Sequence, residues 1–121
     1  MMNEVSETVG KIVKILDQKK ARDILVLNVK GLTTITDNFI IATGGSKSQL
    51  QALSDHIEEE LIKDGIRPKN REGYNTAEWI LLGYDDVIVH IFKDETRSFY
   101  NLEHIWKDAE SIDISQYISE N

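Results

Sequence analysis

A chain of 121 residues with 40% apolar side chains is long enough for one domain with one real core. Fourteen basic residues against 21 acidic ones leave a net charge of −7, which disfavours nucleic-acid backbones, and no basic stripe with interleaved aromatics offsets it. The absence of cysteine excludes disulfide staples, thiolate nucleophiles and thiolate metal ligands, and it fits cytoplasmic residence. No apolar run bracketed by basic and small residues is visible near the N-terminus, so no secretory signal is expected, and the apolar stretches, such as Ile24 to Leu27, fall far short of a membrane span. The acidic field suits a basic protein surface better than a nucleic acid.

Val5, Val9, Ile12, Val13 and Leu16 recur at helical spacing opposite Lys11, Lys14 and Asp17, which predicts an amphipathic first helix. Ile24 to Val29 is apolar on both faces, as in a covered central strand. A threonine-rich connection leads to a second strand, Phe39 to Thr43, that stops at Gly44-Gly45. Ser46 and Gln49 then form a capping box for a helix whose buried stripe is Leu50, Leu53, Ile57 and Leu61 and whose stop is Gly65. Ile66 to Arg71 reads as a short strand confined to an edge by Pro68. Its alternating Arg67, Lys69 and Arg71 are either a partner patch or the charges that edge strands carry against aggregation. Trp79 to Leu82 and Val87 to Phe92 flank Gly83-Tyr84-Asp85-Asp86, which predicts a hairpin. Asp94 is expected to cap a final helix with apolar positions Phe99, Leu102, Ile105 and Trp106. Beyond Asp108 the chain is a mostly polar tail, with Ile112, Ile114, Tyr117 and Ile118 able to pin it. The alternation of helical and strand periods predicts an α/β domain spanning residues 1–121.

Catalytic chemistry finds little support. His56, His90 and His104 have no metal-ligand spacing, and His90, mid-strand between Val89 and Ile91, reads as a hydrogen-bonded structural histidine. Gly45-Ser46-Lys47 lacks the second glycine of a nucleophile elbow, and Ser46 already serves as a helix cap. Thr43-Gly44-Gly45-Ser46 places a glycine turn before a helix N-terminus, a weak anion cradle that is better read as a tight turn. Nucleotidyl transfer would need two or three carboxylates converging on divalent metals, but the next acid, Asp55, falls on a helix and no Asp-x-Asp lies on a predicted strand. No enzyme activity, metal or cofactor is expected.

The run from Gly31 through Thr33, Thr34, Thr36, Asp37 and Phe39 to Thr43-Gly44 resembles a segment of the ribosomal silencing factor (Iojap-like) family. Matching blocks follow in order at Ala52 to His56, Glu78 to Leu82, Asp86 to Phe92 and Glu95 to Trp106, and the likeness covers residues 8–118. The resemblance implies a mixed five-stranded sheet with flanking helices, nucleotidyltransferase-like but without the catalytic carboxylates. It further implies docking on ribosomal protein L-fourteen of the large subunit, steric block of subunit joining and lower translation under starvation, with homodimers often formed by free members. Large-subunit assembly without silencing, or a degenerate nucleotide binder using Gly44 to Ser46, are the alternative readings. The family hairpin reads Asp-Tyr/Leu-Gly-Asp, whereas here Gly83 and an acid have exchanged places.

The partner-binding candidates carried by the resemblance are Trp79, Leu81 and the turn residues Tyr84, Asp85 and Asp86, with Glu78 beside them. A physical reading agrees with that set, because interfaces concentrate energy in a few aromatic anchors with polar rims. On it, Trp79 and Leu81 share one strand face, Tyr84 crowns the hairpin, and the acids face a basic ribosomal protein. The bland alternative makes Trp79 and Leu81 core residues. Tyr100 and Trp106 read as packing residues through their helical spacing with Phe99 and Leu102.

Overall fold

The computed structural model describes residues 6–119. Helix α1, Glu7–Gln18, starts at Ser6, whose side chain accepts a hydrogen bond from the Val9 amide. Its stripe of Val9, Ile12, Val13 and Leu16 is fully buried, and each such side chain stabilises the fold by roughly 1.5–3 kcal/mol. Val5, assigned to the same stripe, lies outside the described residues. Strand β1, Arg22–Asn28, leads to β2, Asn38–Gly44, and helix α2, Lys47–Ile62, follows. The chain continues through β3, Asn70–Glu72, and the hairpin of β4, Trp79–Gly83, with β5, Val87–Lys93. Two short helices, α3 (Asp94–Tyr100) and α4 (Leu102–Ile105), precede β6, Glu110–Ser111, and a 3-10 turn at Ser115–Tyr117.

The strands form one mixed sheet of six in the order β3-β4-β5-β2-β1-β6. Only β2 and β5 run parallel, joined by the crossover that carries α2, and the other pairs are antiparallel. The expected count was five strands. The sixth is β6, a pair of residues opposite Leu27 and Asn28, too short to show any periodicity. Residues 110–119 lie against the body: Ile112 is buried, Tyr117 fills the space over Gly10, and the Ser119 amide and hydroxyl both donate to Asp17. The strand expected from Ile66 shrinks to Asn70–Glu72, and two of the three cations named there are engaged: Lys69 with Asp85 at 2.8 Å and Arg71 with Glu58 at 3.0 Å.

Period-two alternation divides the core. Ile40, Ala42, Ile80, Leu82, Val87, Val89 and Ile91 face α1 and α2. Phe39, Ile41, Phe92, Leu27 and Val29 face the other way, where Leu102, Trp106 and Ala109 cover them. The single final helix expected over this second face is instead broken at Asn101, which adopts the left-handed conformation (φ 51°) that asparagine tolerates at a helix end. Asp94 does not cap it; Lys93 occupies that position, and the Asp94 carboxylate pairs with Arg22 at 2.8 Å. The break rotates the apolar stripe out of register, so Leu102 is buried while Phe99 and Ile105 are 80% and 65% exposed. Arg97 clamps α3 to the end of the sheet. Its guanidinium donates to the Asp23 carbonyl and Thr43 hydroxyl, both at 2.7 Å, and to Glu103 at 2.9 Å. Asp23 reaches that geometry through a bulge at φ 51° that shifts the β1–β2 register.

A tight turn delivers the chain into β4. Gly73 (φ 80°) accepts a hydrogen bond from the amide of buried Ala77, itself at φ 52°. A Cβ on Gly73 would stand 2.0 Å from the Trp79 carbonyl oxygen. Gly73→Ala is therefore expected to destabilise the fold by more than about 2 kcal/mol, from backbone clash and positive φ together. Chemical denaturation checks this; an unchanged midpoint would mean that the turn does not constrain β4.

Candidate partner-binding face

Because α3 and α4 are short and cover β2 and β5 only in part, the second sheet face remains open over β4. Trp79 and Leu81 share that face by strand parity and are half-buried, as is Ile88 on β5. Trp79 packs between Phe92 and Tyr100, each ring centroid 4.8 Å away. Phe99 meets Tyr100 edge to face at 5.0 Å and is itself exposed. The result is an aromatic step in which Trp79 is supported from below and at the side yet reachable from solvent.

His90 lies beneath this step, opposite Leu81 in the hairpin register. Its Nδ1 accepts a hydrogen bond from the Trp79 indole Nε1–H at 3.1 Å, and Phe39 stands edge-on at 5.0 Å. The expected structural histidine is thus observed, buried and hydrogen-bonded. Burial pushes its pKa down to about 4, so the ring is neutral at physiological pH.

The other expected site residues separate. Glu78 is exposed beside Trp79, and its carbonyl accepts from the Lys93 amide. Tyr84 was expected to crown the hairpin at the surface; instead it is 5% exposed and packs with Ile80 and Leu82 in the helix-covered core. Its parity along β4 is theirs, opposite to that of Trp79 and Leu81, which is the physical reason. Asp85 is exposed and paired with Lys69, while Asp86 is half-buried with its carbonyl accepting from the Asn38 amide. At ~3.3 Å per residue, Gly83 lies roughly 13 Å along β4 from Trp79. The acidic turn and the aromatic step are therefore distinct ends of one hairpin. Tyr100, read from sequence as packing, belongs to the exposed step, and Trp106 does pack, on Phe39 at 5.0 Å. Asn101, a residue that favours helix ends, was the one sequence signal that could have exposed Phe99 and Tyr100.

The Gly44-Gly45-Ser46 turn is closed by its own chain. The Ser46 hydroxyl accepts from the Gln49 backbone amide at 3.1 Å, and the Gln49 side-chain Oε1 accepts from the Gly45 amide at 2.7 Å. Gly44 is packed against Leu50, which a Cβ would meet at 2.8 Å. Among the described residues, no group of three or more His, Asp or Glu side chains is placed to hold a metal ion. No helix among them is long and apolar enough to cross a membrane.

The fold is an α/β domain whose sheet keeps one face partly open over β4 and whose glycine turn before α2 is capped by its own chain. A family model described as ribosomal silencing factor during starvation matches residues 2–121. The chain is 39% identical over 107 residues to the ribosomal silencing factor RsfS of Halalkalibacterium halodurans, covering 88% of this chain and 92% of that one. It is 41% identical over 98 residues to the RsfS of Bacillus subtilis, covering 81% and 83%. A crystal structure of a protein from Chromobacterium violaceum superposes with a TM-score of 0.82 at 30% identity, covering 87% of this chain and 88% of that one. The chain belongs to the ribosomal silencing factor family.

The buried imidazole generates a pH signature. Unfolded histidine titrates near 6.5 and folded His90 near about 4, so between those values the unfolded chain carries the additional proton. Stability attributable to His90 is complete above pH about 6.5 and falls as pH drops toward about 4. In that window the slope of unfolding free energy against pH should be shallower in His90→Phe than in the parent, by up to about 1.4 kcal/mol per pH unit. Carboxylates shared by both proteins cancel in the comparison. Equal slopes would show that the folded protein keeps His90 protonated.

Proposed function

We propose that the chain docks on ribosomal protein L-fourteen of the large ribosomal subunit and, by occupying that surface, blocks joining of the small subunit and represses translation. The open aromatic face carries this reading. A half-buried tryptophan held between two rings has the form of a binding hot spot, with apolar area already organised and a reachable edge. Leu81 and Ile88 extend it along the sheet, and Glu78 supplies an acidic rim beside it. The net charge of −7 complements a basic ribosomal protein and steers encounter with it. Membership of a family described by silencing of ribosomes during starvation supports the ribosome as the place of action.

On this reading the protein works in the cytoplasm as an obstacle, making and breaking no bond. Asp85 and Asp86, at the far end of the hairpin, add long-range attraction and not part of the hot spot. Pairing of free copies as homodimers fits the exposure of Phe99 and Ile105, at 80% and 65%.

Trp79→Ala should weaken binding to isolated large subunits by about 2–4 kcal/mol, or roughly 30-fold to several hundred-fold. Co-sedimentation titrations of the folded variant check this. Unchanged affinity would remove Trp79, and with it the aromatic face, from the interface.

A further inference from the structure

We propose that His90 is a positioning residue for partner docking: as a diagonal neighbour on the same sheet face it accepts the Trp79 indole N–H and so fixes which way the anchor ring is turned before any partner arrives. The inference rests on the reading of Trp79 as the anchor. The rings of Phe92 and Tyr100, each 4.8 Å from Trp79, restrict the plane of the indole. Stacking alone does not choose between the two ring flips, because a flipped indole presents the same faces to its neighbours. The hydrogen bond does choose, since only one flip brings Nε1 within 3.1 Å of His90 Nδ1.

That bond is unexpected for a tryptophan on an open surface. A half-exposed indole ordinarily turns its N–H to water, leaving its apolar body against the protein. Here the N–H is engaged by His90, so the indole keeps no free donor for water and offers an apolar partner only carbon. An indole N–H only donates, so Nδ1 carries no proton and the neutral imidazole has its proton on Nε2. Nε2 is buried without a hydrogen-bond partner. An unsatisfied buried donor is costly, whereas a purely apolar side chain here would match its same-face neighbours Ile88 and Phe92. Packing alone therefore disfavours histidine at this position, and orientation of Trp79 is what the side chain adds. A ring already turned for docking loses less freedom on binding, which raises affinity without a new contact.

The test compares the parent with Trp79→Ala, His90→Phe and His90→Asn. It reads thermal stability, affinity for isolated large subunits, and the indole N–H resonances and their solvent exchange by NMR; a Trp106→Phe background leaves Trp79 as the single indole signal. His90→Phe removes the acceptor while keeping a ring. It should fold with a Tm at or above the parent's, expose the Trp79 N–H to rapid exchange, and weaken binding by about 3- to 10-fold. His90→Asn sets an amide oxygen near the place of Nδ1, and it should restore a protected N–H and most of the affinity. His90→Leu, smaller than imidazole, carries the same expectation as His90→Phe should the phenyl ring prove too large to fold. Parent-like affinity in a folded His90→Phe or His90→Leu variant overturns the proposal, as does His90→Asn with a protected N–H but no recovery of binding. Parent-like affinity in Trp79→Ala instead overturns the underlying reading of the face; loss of binding in Trp79→Ala with none in the His90 variants removes the positioning role alone.

Discussion

The inner strands β4, β5, β2 and β1 send alternate side chains to opposite faces, and both sets are mostly apolar. Helices α1 and α2 bury one set completely, with Leu16, Leu53, Ile57 and Leu61 packed on Ile40, Ile80 and Ile91. The other set must be covered by what remains of the chain, which is α3, α4 and the segment to Ala109. That cover is short, and the left-handed Asn101 divides it. Unequal cover of the two faces is the constraint from which the rest follows: the second face is closed over Phe39, Ile41 and Phe92 and left half open at Trp79, Leu81 and Ile88.

The devices around the open strand all set its position. Arg97 ties α3 to the carbonyl of Asp23 and the hydroxyl of Thr43, which holds Tyr100 against Trp79. The Gly73–Ala77 turn, with both ends at positive φ, aims the chain into β4 against the Trp79 carbonyl. His90 takes the indole N–H from below. Two side-chain contacts and one backbone constraint thus meet at Trp79, while the glycine turn that opens α2 engages donors internally through Ser46 and Gln49.

Much of this was legible in sequence, and the failures have physical reasons. The 3.6-residue stripes of α1 and α2 emerged as read, since long periodic helices carry many concordant signals. The Ser46–Gln49 box is met by half: Ser46 caps the Gln49 amide, but the Gln49 side chain takes the amide of Gly45 and not that of Ser46. The Gly83-Tyr84-Asp85-Asp86 hairpin was equally plain. Tyr84 was misplaced although its parity with Ile80 and Leu82 was available: a turn residue was assumed to face solvent, but this one continues the strand alternation for one step more. The final helix was read as continuous because Phe99, Leu102 and Ile105 fall at helical spacing, and a single left-handed residue undoes such a stripe. β6 could not be read at all, for it exists only by pairing with Leu27 and Asn28, distant in sequence. The alliance of His90 with Trp79 was hidden similarly; sequence shows a histidine between apolar neighbours, and only the strand register sets it under the indole.

Occupancy of the large subunit as the means of action is best tested by reassociation of purified subunits. Large subunits pre-incubated with saturating protein would be mixed with small subunits, and the formation of joined particles followed by light scattering, without nucleotide. The account predicts that joining falls in proportion to the fraction of large subunits occupied and returns when the protein is removed. Joining that proceeds at its full extent on fully occupied large subunits would contradict it.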